Sequence, residues 1–161
     1  MPYSIGPISE PDLKDVVALI REFAEFEDLL ARCEVTVERL RTAMFGSSRV
    51  VEGLIARDAD EPVGYCLFFP NFSSFRGHRG LYLDDIYVTA SHRGTGLGDA
   101  MLREVARKAV ERGFERIDFL VLDWNEPAMA FYKKLGAVED PSERHLKFTD
   151  EAFRRLASDS K

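Results

Sequence analysis

Apolar positions recur along this chain at two spacings, and the switches between them mark out its elements. Tyr3–Ile8 reads as a short first strand. After Ser9 and Asp12, which bracket a helix start, Leu13, Val16, Val17, Ile20, Phe23 and Ala24 form one stripe of an amphipathic helix. Thr36 caps a second, shorter helix carrying Leu40, Ala43 and Met44, with Gly46 near its end. Val50–Ala56 and Val63–Phe69 read as two strands joined by the polar turn Asp58–Pro62, a hairpin. Pro70–Gly80, holding Gly77 and Gly80, predicts a loop, and Leu81–Val88 a further strand. Helical spacing returns over Leu97–Arg112 and Gly113 closes it. The rest predicts a strand at Arg116–Leu122, a helix opening at Asn125, a strand at Arg144–Phe148 and a small helix at Asp150–Ala157.

The order β-α-α-β-β-β-α-β-α-β predicts an α/β layer with helices on both faces of a twisted sheet. Its central crossover, Leu81 to Leu122, is the unit that must be parallel and right-handed. At 161 residues the chain is expected to form a single domain spanning 1–161, without repeats or linkers.

Composition narrows the classes of partner. The chain is 45% hydrophobic and 31% charged, and no apolar run approaches membrane-spanning length, so no membrane partner is expected. A formal net charge of −6 argues against nucleic-acid binding, which runs on basic surface, and is compatible with attracting a cationic small molecule. Cys33 and Cys66 are too few and too far apart for a disulfide framework or a metal knuckle, so no metal and a cytoplasmic location are expected.

The chemistry concentrates in Arg93-Gly94-Thr95-Gly96-Leu97-Gly98, between a strand and a helix. Glycines let the backbone pass close to a ligand, and the helix that starts there presents unpaired N–H groups and the positive end of its dipole. That is a site for a phosphate or pyrophosphate. No Gly-Lys-Ser/Thr follows Gly94, so this is not a P-loop; the sixth position from Gly94 is Asp99, so the dinucleotide fingerprint fails too. A second block, Asn125-Glu126-Pro127-Ala128-Met129-Ala130-Phe131-Tyr132 with Leu135-Gly136-Ala137, reads as a helix capped by Asn125, with Pro127 in its first turn and Gly136 past its end.

The Arg-x-x-Gly-x-Gly loop followed by the Asn-x-x-Ala-x-x-Phe-Tyr-x-x-x-Gly block resembles the GNAT N-acetyltransferase superfamily over nearly the whole chain. The resemblance implies a mixed, mostly antiparallel twisted sheet with a central parallel β-α-β unit, and acetyl-CoA as acetyl donor. It implies that amides around Gly94, Thr95, Gly96, Leu97, Gly98 and Asp99 hold the pyrophosphate, with Arg93 as charge partner. A backbone N–H on the strand carrying Ile86, Tyr87 and Val88 would polarise the thioester carbonyl where that strand splays from the next. Asn125 and Ala128 would also contact the cofactor, and Tyr132 would be the general acid: a phenol with pKa about 10 can hand its proton to a departing thiolate.

Leu81-Tyr82-Leu83-Asp84-Asp85 and Leu122-Asp123-Trp124-Asn125-Glu126-Pro127 are most similar to the spermidine/spermine (diamine) and thialysine acetyltransferases within that superfamily. In that group an aromatic-acid pair, here Phe26 and Glu27, lines the amine site; Asp84 joins it, with Glu143 as a further candidate. The group usually carries Glu where this chain has Asp84, which sets the carboxylate about one methylene back. Homodimers are expected on the same grounds. Asp84 is the expected catalytic base, although Asp85 or a water chain remains open; in a regular strand the two would face opposite ways, and a bulge or strand edge is the alternative. If Arg76, His78 and Arg79 face the site, a polyamine is disfavoured and an amino acid becomes more attractive. A CoA-binding sensor without turnover and a protein lysine or N-terminal acetyltransferase are the alternative functions.

Overall fold

The computed structural model describes residues 3–158. They form two compact units divided after Leu120. The first holds a five-stranded sheet in the order β1-β2-β3-β4-β5. Its strands are β1 (Tyr3–Pro7), β2 (Glu52–Asp58), β3 (Glu61–Ser73), β4 (His78–Val88) and β5 (Ile117–Asp118). The first four pair antiparallel in sequence, and β4 pairs parallel with β5. This is the mixed, mostly antiparallel sheet expected from the sequence, with the β-α-β unit running through α3 (Leu97–Glu111).

Each face of the sheet has its own core. On one side α1 (Leu13–Phe26) and α2 (Val37–Phe45) bury Leu13, Val16, Leu19, Leu40 and Met44 against Ile55, Tyr65, Leu67 and Tyr87. On the other, Leu97, Met101, Val105 and Ala109 of α3 cover Leu54, Cys66, Phe68, Leu81 and Leu83. Apolar burial on alternate strand positions and on single helix stripes is what holds both layers to the sheet. The caps act as the sequence predicts: Asp12 accepts from the Ser9 N–H at 2.8 Å, and Thr36 accepts from the Arg39 N–H at 3.1 Å. Arg57 on β2 donates to Asp12 at 2.7 Å and Asp15 at 2.8 Å, pinning the start of α1 to the sheet.

Three expectations need correction. The segment from Pro70 to Gly80 is not a loop: Pro70 pairs with Leu81 and Asn71 with Gly80, leaving only 74–77 as the turn of a long hairpin. Gly80 is a packing glycine there, since a Cβ would lie 2.5 Å from Arg116 Cγ and 2.8 Å from Asn71 Oδ1. The strand expected over Arg116–Leu122 contracts to Ile117–Asp118. In the second unit, Arg144–Phe148 forms no strand, and Leu146 and Phe148 are exposed. Alternation alone cannot hold a strand whose backbone groups find no neighbouring strand. That unit contains α4 (Glu126–Lys134) and α5 (Asp150–Ser158).

Candidate active site

The aspartate pair owes its geometry to a slip in strand register. Leu67 on β3 pairs with Asp85, but its neighbour Phe68 pairs with Leu83, so Asp84 is the extra residue of a β-bulge. The core clusters reveal the consequence. Leu81 and Leu83 belong to the α3 side, as do Ile86 and Val88, whereas Tyr87 belongs to the α1 side. The parity of the strand therefore inverts between 84 and 85, and both carboxylates turn to the α1 face. The opposite-face arrangement of a regular strand is replaced by two like charges on one side.

Their surroundings are acidic and poorly hydrated. The Tyr65 hydroxyl, in a fully buried side chain, donates to Asp85 Oδ2 at 3.0 Å. Burial pushes the Asp85 carboxyl up to about 6, and repulsion from Asp84 and Glu27 adds to it, against the Tyr65 hydrogen bond that lowers it. Burial and the charge of Asp85 hold the Tyr65 phenol well above its ordinary range. Asp84 as a residue is exposed, yet the protein beside its carboxyl removes enough water to raise it. Glu27, the residue that follows α1 as its C-cap, is raised by burial as well. Glu27, Asp84 and Asp85 thus form one electrostatic group. Sequence reasoning missed Tyr65 and could have found it: a tyrosine inside an apolar strand needs a partner for its hydroxyl.

Beyond the aspartates, β4 changes character. Ile86, Tyr87 and Val88 pair with Cys66, Tyr65 and Gly64 of β3 on one edge. On the other edge the ladder to β5 stops at Tyr82–Asp118, so from Leu83 to Val88 β4 has no strand partner there among the described residues. The family resemblance implies that two strands part here. The Tyr87 side chain is buried; it stacks on Phe23 at 5.1 Å and donates to Glu22 at 2.8 Å, and burial together with that bond raises it to about 12.

The strand leads directly into the glycine turn. Gly94 and Gly96 have φ of +76° and +87°, conformations that favour glycine, and a Cβ at either would meet nothing within 4 Å. The conformation, not crowding, requires them, and the space above the turn is open. Gly96 is the N-cap of α3 and no side chain caps that helix, so the N–H groups of its first turn lack a capping side chain. The Thr95 hydroxyl donates back to the His92 carbonyl at 2.7 Å, and Asp99 in the first turn is held by Arg103. An uncapped N-terminus behind an open turn fits the pyrophosphate of acetyl-CoA, and the free edge of β4 fits an extended arm running beside it.

Arg93 faces elsewhere. Its guanidinium lies 4.3 Å from the ring centre of Phe26 and 5.4 Å from that of Tyr87, and its Nε–H donates to the Val88 carbonyl at 3.1 Å. The basic side chains of the hairpin are also occupied: Arg79 lies over Phe114 at 4.8 Å, and His78 Nδ1 is 3.4 Å from Glu115. Their strand positions are five and six residues from Asp84, about 17–20 Å along an extended strand. They do not line the carboxylates.

The second unit holds the remaining candidates. Asn125 Oδ1 accepts from the Ala128 N–H at 3.2 Å, which caps α4, and Gly136 follows the helix with φ +96°. Tyr132 is half-buried, edge-on to Phe131 at 5.1 Å. Glu143 is exposed, and its N–H donates to the Asp140 carbonyl at 3.4 Å. Among the described residues no group of His, Cys, Asp and Glu is placed to hold a metal ion, and no helix is long and apolar enough to cross a membrane.

Residues 18–137 match the model of the family described as Acetyltransferase (GNAT) family. Thialysine N-epsilon-acetyltransferase of Bos taurus is 37% identical over 165 positions, covering 95% of this chain and 96% of its own length. Spermidine/spermine N(1)-acetyltransferase-like protein 1 of Homo sapiens is 32% identical over 82% of this chain, but over 20% of its own length. Among solved structures, an integron cassette protein from the mobile metagenome of V. cholerae superposes with a TM-score of 0.83 at 21% identity, covering 98% of this chain and 99% of its own.

Proposed function

The chain belongs to the GNAT acetyltransferase family and is an N-acetyltransferase, and from that premise we propose that it moves the acetyl group of acetyl-CoA to the primary amine of a small molecule within a ternary complex. The observation that carries this reading is the order of features along one stretch of chain. Paired carboxylates at Asp84 and Asp85 are followed by the free edge at Ile86–Val88 and then by the uncapped glycine turn at Gly94–Asp99. Acceptor, transfer point and donor site succeed one another without a break.

Acetyl-CoA supplies an acyl group activated as a thioester. The amides from Gly94 to Asp99 hold its pyrophosphate, and a backbone N–H of Ile86, Tyr87 or Val88 polarises the carbonyl. By the family resemblance, Asn125 and Ala128 are further candidates for cofactor contact. Glu27 and the Asp84–Asp85 pair attract the substrate as an ammonium ion, and Phe26 lines its path. Asp85, at about 6, is ionised at neutral pH, and its raised value makes it a stronger base than an ordinary carboxylate. One proton passes from the ammonium nitrogen to the aspartate pair, the N–C bond forms and the C–S bond breaks; the second proton that the nitrogen sheds on becoming an amide leaves through solvent and restores the phenol that protonates the sulfur. Tyr132 gives its proton to the departing sulfur.

The amine is proposed to be thialysine-like or a diamine or polyamine. Near-complete coverage of the bovine thialysine enzyme favours the first, and a cluster of three acids with no hairpin cation among them accommodates the second. We further propose a homodimer, as in the group the sequence resembles; sedimentation showing monomer alone would refute it. The test of function is thiol release from acetyl-CoA with thialysine, lysine, ornithine, diamines and spermidine. A thiol signal that requires one of these amines supports the reading. Binding of acetyl-CoA without turnover on any amine or protein substrate favours the sensor alternative instead.

A further inference from the structure

We propose that Arg93 is a positioning residue that ties the glycine turn to the amine end of α1, and that it is not a ligand of the cofactor phosphates. The inference rests on the acetyltransferase reading, and it assigns one residue of that site a different job from the one its place in the motif suggests. Three contacts carry it. The guanidinium stacks over Phe26 at 4.3 Å, it reaches the Tyr87 ring at 5.4 Å, and its Nε–H donates to the Val88 carbonyl at 3.1 Å.

Those partners belong to separate elements. Phe26 is the last residue of α1 and precedes Glu27, one of the three clustered acids. Val88 is the last residue of β4, three positions after Asp85. Arg93 itself stands immediately before Gly94, where the turn adopts positive φ. One planar group therefore spans the acid-bearing helix end, the strand end and the donor turn.

The chemistry suits Arg rather than Lys. A flat guanidinium can stack on a ring while its Nε–H points in the plane to a carbonyl; an ammonium keeps the charge but cannot do both. The ring beneath it has reason to need holding. Phe26 is 44% exposed, and α1 ends there with Asp28 at φ +57°, a backbone state that non-glycine residues seldom take. The contact with Arg93 covers one face of this exposed ring next to Glu27.

The test compares Arg93→Met, Arg93→Lys and Phe26→Leu in the full chain. Acetyl-CoA Kd is read by calorimetry, and kcat and amine KM by thiol release. Arg93 is exposed, so these variants are expected to fold. Arg93→Met should raise amine KM roughly three- to fivefold while acetyl-CoA Kd moves less. Arg93→Lys should behave like Met, and the Arg93→Met/Phe26→Leu double variant should be no worse than the poorer single. A larger effect on acetyl-CoA Kd than on amine KM, rescued by Lys, would overturn the proposal; additive effects of Arg93→Met and Phe26→Leu would do so too. If the wild-type chain acetylates nothing, the acetyltransferase reading fails separately. The strut is then judged by the same double-variant cycle in thermal melting, where non-additivity supports it and additivity overturns it.

Discussion

Replacing Asp85 by Asn should make the protein more stable and the enzyme much slower. The carboxyl lies near 3.8 in an ordinary setting and near 6 in the fold, because burial and the charges of Asp84 and Glu27 oppose its ionisation. At about 1.4 kcal/mol per pH unit that gap corresponds to about 3 kcal/mol of destabilisation when the group is ionised. Asn keeps an acceptor for the Tyr65 hydroxyl, now donated to Asp85 at 3.0 Å, and removes the charge. Allowing for relaxation and entering water, a gain of about 2 kcal/mol is expected above pH 7, or a melting temperature higher by about 4–8 °C. The sign follows from the raised value. The protonated carboxyl's advantage is fully present below its unfolded value near 3.8 and is lost as pH rises through about 6. The gain from Asn should therefore grow between those values and level off above them; melting curves at pH 5 and pH 7.5 suffice to see it. A variant that melts at or below wild type at pH 7.5, or a gain equal at both pH values, would refute the account of this pair. Turnover should fall about a hundredfold or more with the loss of a base.

Four further outcomes follow from the same geometry. The kcat/KM of the wild type should climb through about pH 6 as Asp85 ionises, and Asp85→Asn should lose that limb in a pH–rate profile. Tyr132→Phe should lower kcat by about a hundredfold or more and leave acetyl-CoA Kd within about twofold; unchanged turnover removes the phenol from the reaction. Gly96→Ala should cost about 1–2 kcal/mol through its φ of +87° and weaken acetyl-CoA binding in calorimetry, since space around a Cβ is not limiting. Gly80→Ala should cost about 1–3 kcal/mol in denaturant melts, because the methyl would lie 2.5 Å from Arg116 Cγ at the β4–β5 junction.

Much of this arrangement was legible in the sequence, for reasons that lie in particular residues. The α1 and α3 stripes, the Thr36 and Asn125 caps and the glycine at 136 that follows α4 express local rules, and local rules are written in adjacent letters. What depends on register was not. Pro70 and Gly80 read as loop punctuation, but each is accommodated inside a hairpin by what stands across from it. The Asp-Asp pair left a regular strand and a bulge both open; the bulge at Asp84, which reverses strand parity, is decided by the pairing with β3. The Tyr65–Asp85 bond joins residues twenty apart, and the Arg93–Phe26 stack joins the motif to a helix end sixty-seven positions earlier. Side-chain direction beyond the strand, not residue type, decided both.

The central claim is tested most directly by measuring free thiol and acetylated product together when acetyl-CoA, the protein and the amine panel are combined. The account predicts equal amounts of thiol and N-acetylated amine for at least one small primary amine, and neither when acetyl-CoA, amine or protein is omitted. No acetylated product from any amine in the panel, with acetyl-CoA failing to raise the melting temperature at saturating concentration, would contradict it.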